Sequence, residues 1–256
     1  MNRTRKAVHT RNTPWLTVIS ASQTTDVRLI CFGEAGADPE QFRSWTQALS
    51  EHIELLAFRL PGHDNPQNRT RYEQWPPLLV DAFAALQPYL SEPHALFGHG
   101  LGAILAYELA KLSETHCPGQ TRHLFISGCR SPDTRPASAP LHSLPNIRHS
   151  YAPSSPGALL DATASDQLAA FEALIHSDLK LLESWADPSS RSLHIPMTAF
   201  YGSDDPLAPL ESMVNWREFT RREFELIEMT GNHFFTTTQR HRLLQIINTH
   251  LGLLSE

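Results

Sequence analysis

The chain has no apolar run approaching the roughly 18–20 residues that a membrane span requires. Its first apolar stretch, Trp15 to Ser20, is too short for a signal-peptide core, and no apolar region follows Arg3, Arg5, Lys6 and Arg11. A solvated N-terminal arm, a cytoplasmic location and no membrane partner are expected. Basic charge is not in excess: 21 Lys and Arg stand against 27 Asp and Glu, a net charge of -6, which argues against a nucleic-acid partner. Cysteine is sparse. Cys31, Cys117 and Cys129 are odd in number and lack metal-ligand spacing, so they read as free thiols in a reducing compartment, with Cys31 and Cys129 in or near the core. No repeat is visible, and nothing in the chain demands a metal, a diffusible cofactor or an oligomer, so a monomer is expected. What remains, 256 residues of which 41% are hydrophobic, suffices for one α/β domain with a sizeable core.

Short apolar runs alternate with amphipathic ones. Val27 to Phe32, Ile53 to Phe58, Ala95 to Phe97, His123 to Gly128, Met197 to Gly202 and Phe224 to Met229 read as strands. Between them, helices are expected over Glu40 to His52, Trp75 to Leu90 and Ala103 to about Leu112, with a last one over Thr237 to Leu251. Pro76 and Pro77 fit the first turn of the second of these. The alternation implies a mostly parallel sheet with helices on both faces. One region breaks it: residues 131 to 160 are rich in proline and serine, and Ala158 to Trp185 reads as one or two amphipathic helices. An insertion between late strands of such a sheet lies over the strands' carboxyl ends, where ligands bind, so it reads as a lid. The expected division is 1–26 as N-terminal arm and first strand region, 27–130 and 191–256 as the two parts of the core, and 131–190 as the lid.

The densest signal is Gly98-His99-Gly100-Leu101-Gly102, between the strand ending at Phe97 and a helix starting at Ala103. This is the strand–turn–helix of a G-x-S-x-G nucleophile elbow in an α/β-hydrolase fold, with Gly100 where the nucleophilic serine is expected. The elbow holds its central residue at positive φ, which glycine adopts without strain. Gly98 and Gly102 provide the close strand–helix approach, and His99 is expected to pack beneath the turn.

In this fold the acid follows a late strand and the histidine follows the last one. The turn Gly202-Ser203-Asp204-Asp205-Pro206 offers Asp205, with Asp204 as the alternative, and Gly231-Asn232-His233 offers His233 as the base. An oxyanion hole needs two backbone amides: that of Leu101, and one from the loop Gly33-Glu34-Ala35-Gly36-Ala37, where Ala35 is the candidate. Neither donor depends on a side chain, so the hole does not require a serine. Ser127 and Cys129 lie outside the turn and are poor substitutes for the nucleophile.

Over residues 27 to 250 the chain resembles the type II thioesterases that serve nonribosomal peptide and polyketide synthetases. The resemblance rests on Cys31-Phe32-Gly33-Glu34-Ala35-Gly36-Ala37, Phe42-Arg43-Ser44-Trp45, Leu60-Pro61-Gly62-His63, Phe97 to Ala103 followed by Ala106 to Ala110, Ile126 to Pro132, Gly202 to Pro206, and Gly231 to Phe235. The family's loop has Pro and Gly at the places of Gly33 and Ala37, its turn has Arg where His63 stands, and its Arg-Ala-Asp-Phe lid segment is represented by His176-Ser177-Asp178-Leu179. Glu34 puts a carboxylate near the mouth of the site.

The resemblance implies hydrolysis of aberrant or stalled acyl and aminoacyl thioesters from the phosphopantetheine arm of acyl or peptidyl carrier proteins, in the making of a siderophore or another peptide metabolite. With Gly100 in the elbow, His233 backed by Asp205 would have to activate water directly. Two other readings stand beside it: a non-catalytic protein that binds acyl groups or carrier proteins, and an esterase or acyltransferase of the same fold.

Overall fold

The fold is built on one sheet of seven short strands, whose inner strands are buried on both faces. The computed structural model describes residues 12–21, 25–63, 72–134, 162–187 and 191–252, with the side chains of 162–168 left aside. The strands are β1 (Leu16–Ser20), β2 (Val27–Phe32), β3 (Ile53–Phe58), β4 (His94–His99), β5 (Thr121–Ser127), β6 (Met197–Gly202) and β7 (Phe224–Met229). Their order is β1-β3-β2-β4-β5-β6-β7, with β1 antiparallel to β3 and every other pair parallel. The alternation along β2 shows how the core divides. Leu29 and Cys31 face one cluster with Phe42, Trp45, Phe97 and Leu243, while Ile30 and Phe32 face the other with Leu86, Ile104 and Leu182.

The helices are α1 (Trp75–Leu90), α2 (Leu101–His116), α3 (Ala162–Ser184), the short α4 (Leu210–Met213) and α5 (Phe235–Thr238), and α6 (Arg240–Gly252). Three expectations are corrected. The segment expected as a helix over Glu40 to His52 is a 3-10 helix, Pro39–Gln47, started by the Asp38 side chain accepting from the Glu40 N–H. The tighter winding puts Phe42 and Trp45, three apart, on one face. Their rings meet edge to face at 5.0 Å, and Trp45 packs on Phe97 at 4.9 Å. The elbow helix runs past Leu112 to His116. The last helix is two: α5 ends at Thr238, Gln239 leaves helical geometry, and α6 starts at Arg240.

Residues 135–161, which hold most of the proline- and serine-rich stretch, and the basic residues of 1–11 lie outside the described residues. The described part of the expected lid is residues 131–134, with a short 3-10 turn over Pro132–Thr134, and 162–187, which hold the helix α3. It packs on the face formed by α1 and α2, and its carboxyl end is tied down by several polar contacts. Trp75 Nε1 donates to the Leu181 carbonyl at 2.7 Å, and Trp185 Nε1 donates to Glu108 at 3.0 Å. Lys111 bridges Glu108 and Asp187 at 2.8 and 3.1 Å. The Ala106-Tyr107-Glu108-Leu109-Ala110 segment of α2 thus fastens the helix. Cys31, Cys117 and Cys129 are buried free thiols, and burial pushes the Cys31 thiol well above its ordinary pKa. Among the described residues no helix is long and apolar enough to cross a membrane.

Candidate active site

The loops after β2, β4, β6 and β7 meet at the carboxyl edge of the sheet, where ligands bind in folds of this class. The turn after β4 is the sharpest. Gly100 has φ 55° and ψ -117°, and α2 begins at the next residue. Strand and helix touch backbone to backbone there. A Cβ on Gly98 would lie 2.1 Å from the Gly102 carbonyl oxygen, and one on Gly102 would lie 2.2 Å from that of Phe32, so any side chain at either position would force the chain apart. Gly100 differs. A Cβ there would meet Glu34 Cβ at 3.5 Å and His233 Nε2 at 3.8 Å, both ordinary contacts. The turn therefore has room for the serine it lacks, and that room faces His233.

His233 is held from behind. Its Nδ1 lies 2.7 Å from Asp205 Oδ2, and the Asp205 side chain is fully buried. The other carboxylate oxygen, Oδ1, accepts from the Leu207 and Ala208 amides at 2.8 and 3.3 Å. Asp205 is thus a fixed acceptor that orients the ring with Nε2 toward the elbow, and the Nδ1–H tautomer follows from the carboxylate. The two turns are laced together by the Ser203 and Asp204 amides donating to the Met229 and Gly231 carbonyls at 2.8 and 2.9 Å. Asp204, the alternative acid, is exposed and accepts from Ser203 Oγ at 3.1 Å.

The amides of Ala35 and Leu101 lie on the loops flanking Gly100. Among the described residues neither N–H donates to a protein acceptor, and Leu101 opens a helix whose first amides point outward without intrahelical partners. The loop carrying Ala35 is held from above by α3. Asp178 Oδ2 accepts from the Gly36 amide at 2.8 Å and lies 2.9 Å from His63 Nε2. His63 Nδ1 is 3.2 Å from the Ala37 carbonyl oxygen, which it reaches as a donor. Ile175 and Phe171 of the same helix cover Gly36. His63, where the family's turn has arginine, thus stands between the lid-segment aspartate and the loop. Asp178 stands 142 residues from the amide it binds. Only its place in the lid segment pointed to it in the sequence.

His99 lies beneath the turn, as expected, but also borders the site. Its Nδ1 is 2.8 Å from Ser127 Oγ, and its ring lies 4.7 Å from that of His233. Burial and the charge of His233 hold it well below the usual histidine range, so it is neutral. Its Nε2 sits 3.5 Å from Glu34 Oε2. Burial raises the Glu34 carboxyl above its ordinary range, and the charge of His233 opposes that rise. The sequence put this carboxylate near the mouth. The structure puts it against the elbow.

With this geometry in place, comparison with known proteins gives a consistent result. The thioesterase domain family matches residues 27–251. The thioesterase PikA5 of Streptomyces venezuelae is 29% identical over 250 residues, covering 93% of this chain and 85% of its own length. Among solved structures, the type II thioesterase BorB of the borrelidin biosynthetic cluster superposes with a TM-score of 0.80 at 26% identity, covering 94% of this chain and 99% of its own. The prodiginine-pathway thioesterase RedJ of Streptomyces coelicolor is 32% identical with a TM-score of 0.75, covering 88% and 86%. The chain belongs to the thioesterase domain family and has the fold of its type II members, with glycine at the turn where the hydrolase elbow carries serine.

Proposed function

We propose that this protein hydrolyses acyl or aminoacyl thioesters held on the phosphopantetheine arm of carrier-protein domains, and that water attacks the thioester directly. The observation that carries this reading is the Asp205–His233 pair, 2.7 Å apart, with Nε2 of His233 directed at a side-chain-free elbow. In this mechanism the thioester carbonyl oxygen lies between the amides of Ala35 and Leu101. Water enters on the Gly100 side and gives a proton to His233 Nε2, its oxygen bonds to the carbonyl carbon, and the tetrahedral oxyanion is held by the two amides. The C–S bond then breaks, and the imidazolium returns its proton to the departing sulfur. Asp205 stabilises the imidazolium and stays ionised. No acyl-enzyme forms. Helix α3 acts as the lid, closing over the acyl group and holding the loop that carries Ala35.

The test is release of acetate from an acetyl-loaded carrier protein. His233→Ala should lower turnover by about 10² or more, the scale of general base catalysis, while binding of the loaded carrier persists. Equal turnover with and without His233 overturns the mechanism. A second reading, a carrier-protein binder without turnover, is favoured by the missing hydroxyl at Gly100. It requires binding of the loaded carrier with no acetate released over hours.

A further inference from the structure

Direct hydrolysis makes a demand that a serine enzyme does not. A serine oxygen is tethered covalently, whereas a water must be oriented by hydrogen bonds, and His233 Nε2 supplies only one. We propose that Glu34 supplies the second: its carboxylate accepts the other hydrogen of the attacking water, which makes Glu34 a catalytic residue of the Gly100 site. The inference rests on the thioester-hydrolysis reading and adds a residue to it.

The placement carries the argument. Glu34 immediately precedes Ala35, so its backbone is fixed by the same loop that presents the oxyanion amide. The position of a Cβ on Gly100 has Glu34 Cβ at 3.5 Å, Glu34 Cα at 3.8 Å and His233 Nε2 at 3.8 Å as its three nearest neighbours. Glu34 and His233 therefore flank the space that a serine side chain would fill. The carboxylate turns inward, with Oε2 3.5 Å from the buried His99 Nε2. Because His99 is neutral, it leaves the charge of Glu34 uncompensated. The cation that forms beside it during the reaction is the imidazolium of His233.

Room for water also adjoins Glu34. Glu34 lines a cavity of about 210 Å³ together with Gly33, Gln41, Trp45, His99 and Arg240. At about 30 Å³ per water that is room for several molecules. Its aromatic wall, Trp45 with Phe42 and Phe97, belongs to the sheet face opposite the one that α3 covers. An acyl group beneath α3 would leave this approach open. In the reaction the water gives one proton to His233 and keeps the other on its own oxygen, hydrogen-bonded to the Glu34 carboxylate, while that oxygen bonds to carbon. The C–S bond breaks, the sulfur takes the proton from His233, and Glu34 stays a carboxylate throughout. Two acceptors fix the oxygen's direction of attack, which is the orientational part of catalysis.

The experiment compares four chains, namely the parent, Glu34→Gln, Gly100→Ser and the double variant, with S-acetyl-N-acetylcysteamine and an acetyl-loaded carrier protein as substrates. Thiol release gives kcat and KM, and intact mass gives the rate of acyl-enzyme formation where serine is present. In the parent background Glu34→Gln should lower kcat by about 10- to 100-fold at nearly constant KM, at or below the low end of a general acid–base contribution. In the Gly100→Ser background the same change should cost at least tenfold less in the acylation step, because there the serine oxygen attacks. Glu34→Asp, which keeps the charge on a shorter arm, should fall between parent and Glu34→Gln, and it replaces Glu34→Gln if that variant does not fold. Equal losses in both backgrounds mean a structural role and overturn the proposal, as does an unchanged kcat in the parent background. If only the Gly100→Ser chains turn over, the direct-water mechanism and the role of Glu34 fall together while the substrate class stands. If no chain turns over, the substrate class itself is wrong.

Discussion

Restoring a serine at position 100 tests the geometry of the elbow in two directions at once. Gly100 sits at φ 55° and ψ -117°, a backbone conformation that costs a residue with a side chain about 1–3 kcal/mol. No steric term adds to this, since the new Cβ would meet nothing closer than 3.5 Å. Replacing glycine also lowers the entropy of the unfolded chain, which offsets about 0.4–1 kcal/mol. At the mid-points of the two ranges the net expectation for Gly100→Ser is a loss of about 1.3 kcal/mol, or a fall in melting temperature of about 3–5 °C for a chain of this size. The same substitution places a hydroxyl one bond beyond a Cβ that is 3.8 Å from His233 Nε2, within reach of a serine–histidine hydrogen bond. Turnover of an acetyl-loaded carrier protein should rise steeply, with an upper bound of about 10⁶-fold, the loss seen when a hydrolase triad loses its serine. Intact mass should show one acetyl group on the variant during turnover. Thermal melts and thiol release on the same preparations decide the matter. A variant that melts at or above the parent refutes the strain argument. A folded variant that never acylates refutes the placement of His233.

Other substitutions read neighbouring parts of the site. Gly102→Ala would put a Cβ 2.2 Å from the Phe32 carbonyl oxygen and should destabilise by about 3 kcal/mol or more, far beyond Gly100→Ser; similar melting temperatures for the two would contradict the close strand–helix approach. Asp178→Ala removes the acceptor of the Gly36 amide and the partner of His63, with an expected loss of about 1.5–3 kcal/mol in urea unfolding and a fall in kcat/KM; unchanged kcat/KM would mean that the loop keeps its shape without α3. Acid should weaken the fold early. Burial holds His94 down to about 4 and His123 down to about 3, with His250 adding to the latter, so the native state keeps both neutral while the unfolded chain protonates them near 6.5. The unfolded state then binds more protons below that pH, so the shifts cost nothing above 6.5 and destabilise the fold on acidification by about 1.4 kcal/mol per pH unit for each histidine until the folded pKa is passed. Urea midpoints that do not move between pH 6.5 and 5 would refute this.

Much of the molecule is legible in the sequence because its signals are local. Trp75 to Leu90, Ile53 to Phe58, Met197 to Gly202 and Phe224 to Met229 form elements with the expected bounds, since proline at the helix start and apolar runs of strand length declare themselves within a few residues. The turns holding Gly100, Asp205 and His233 are likewise local, each a short glycine-bearing segment after a strand. What stayed hidden depends on distant partners. The 3-10 winding of Pro39–Gln47 goes with Phe42 and Trp45 packing on Phe97 of β4, a partner about fifty residues away in sequence that no local pattern declares. The part played by Asp178 depends on an amide 142 residues away, and the depth of Glu34 depends on where His99 and His233 come to rest.

The single carboxylate of Asp178 also sets a rule for timing. It joins the helix above the site to the loop below it, while the far end of that helix stays fastened through Trp185 to Glu108. Lifting the middle of the helix withdraws the acceptor from Gly36 and frees the loop that presents the Ala35 amide. On the proposed mechanism, admission of a substrate and competence to hold its oxyanion would then exclude one another. An acyl chain too long to let the helix settle would wait in front of a disassembled site, whereas a short one would allow the latch to engage. Selectivity for small acyl groups would then come from the time the latch spends closed, without any pocket wall having to measure their length.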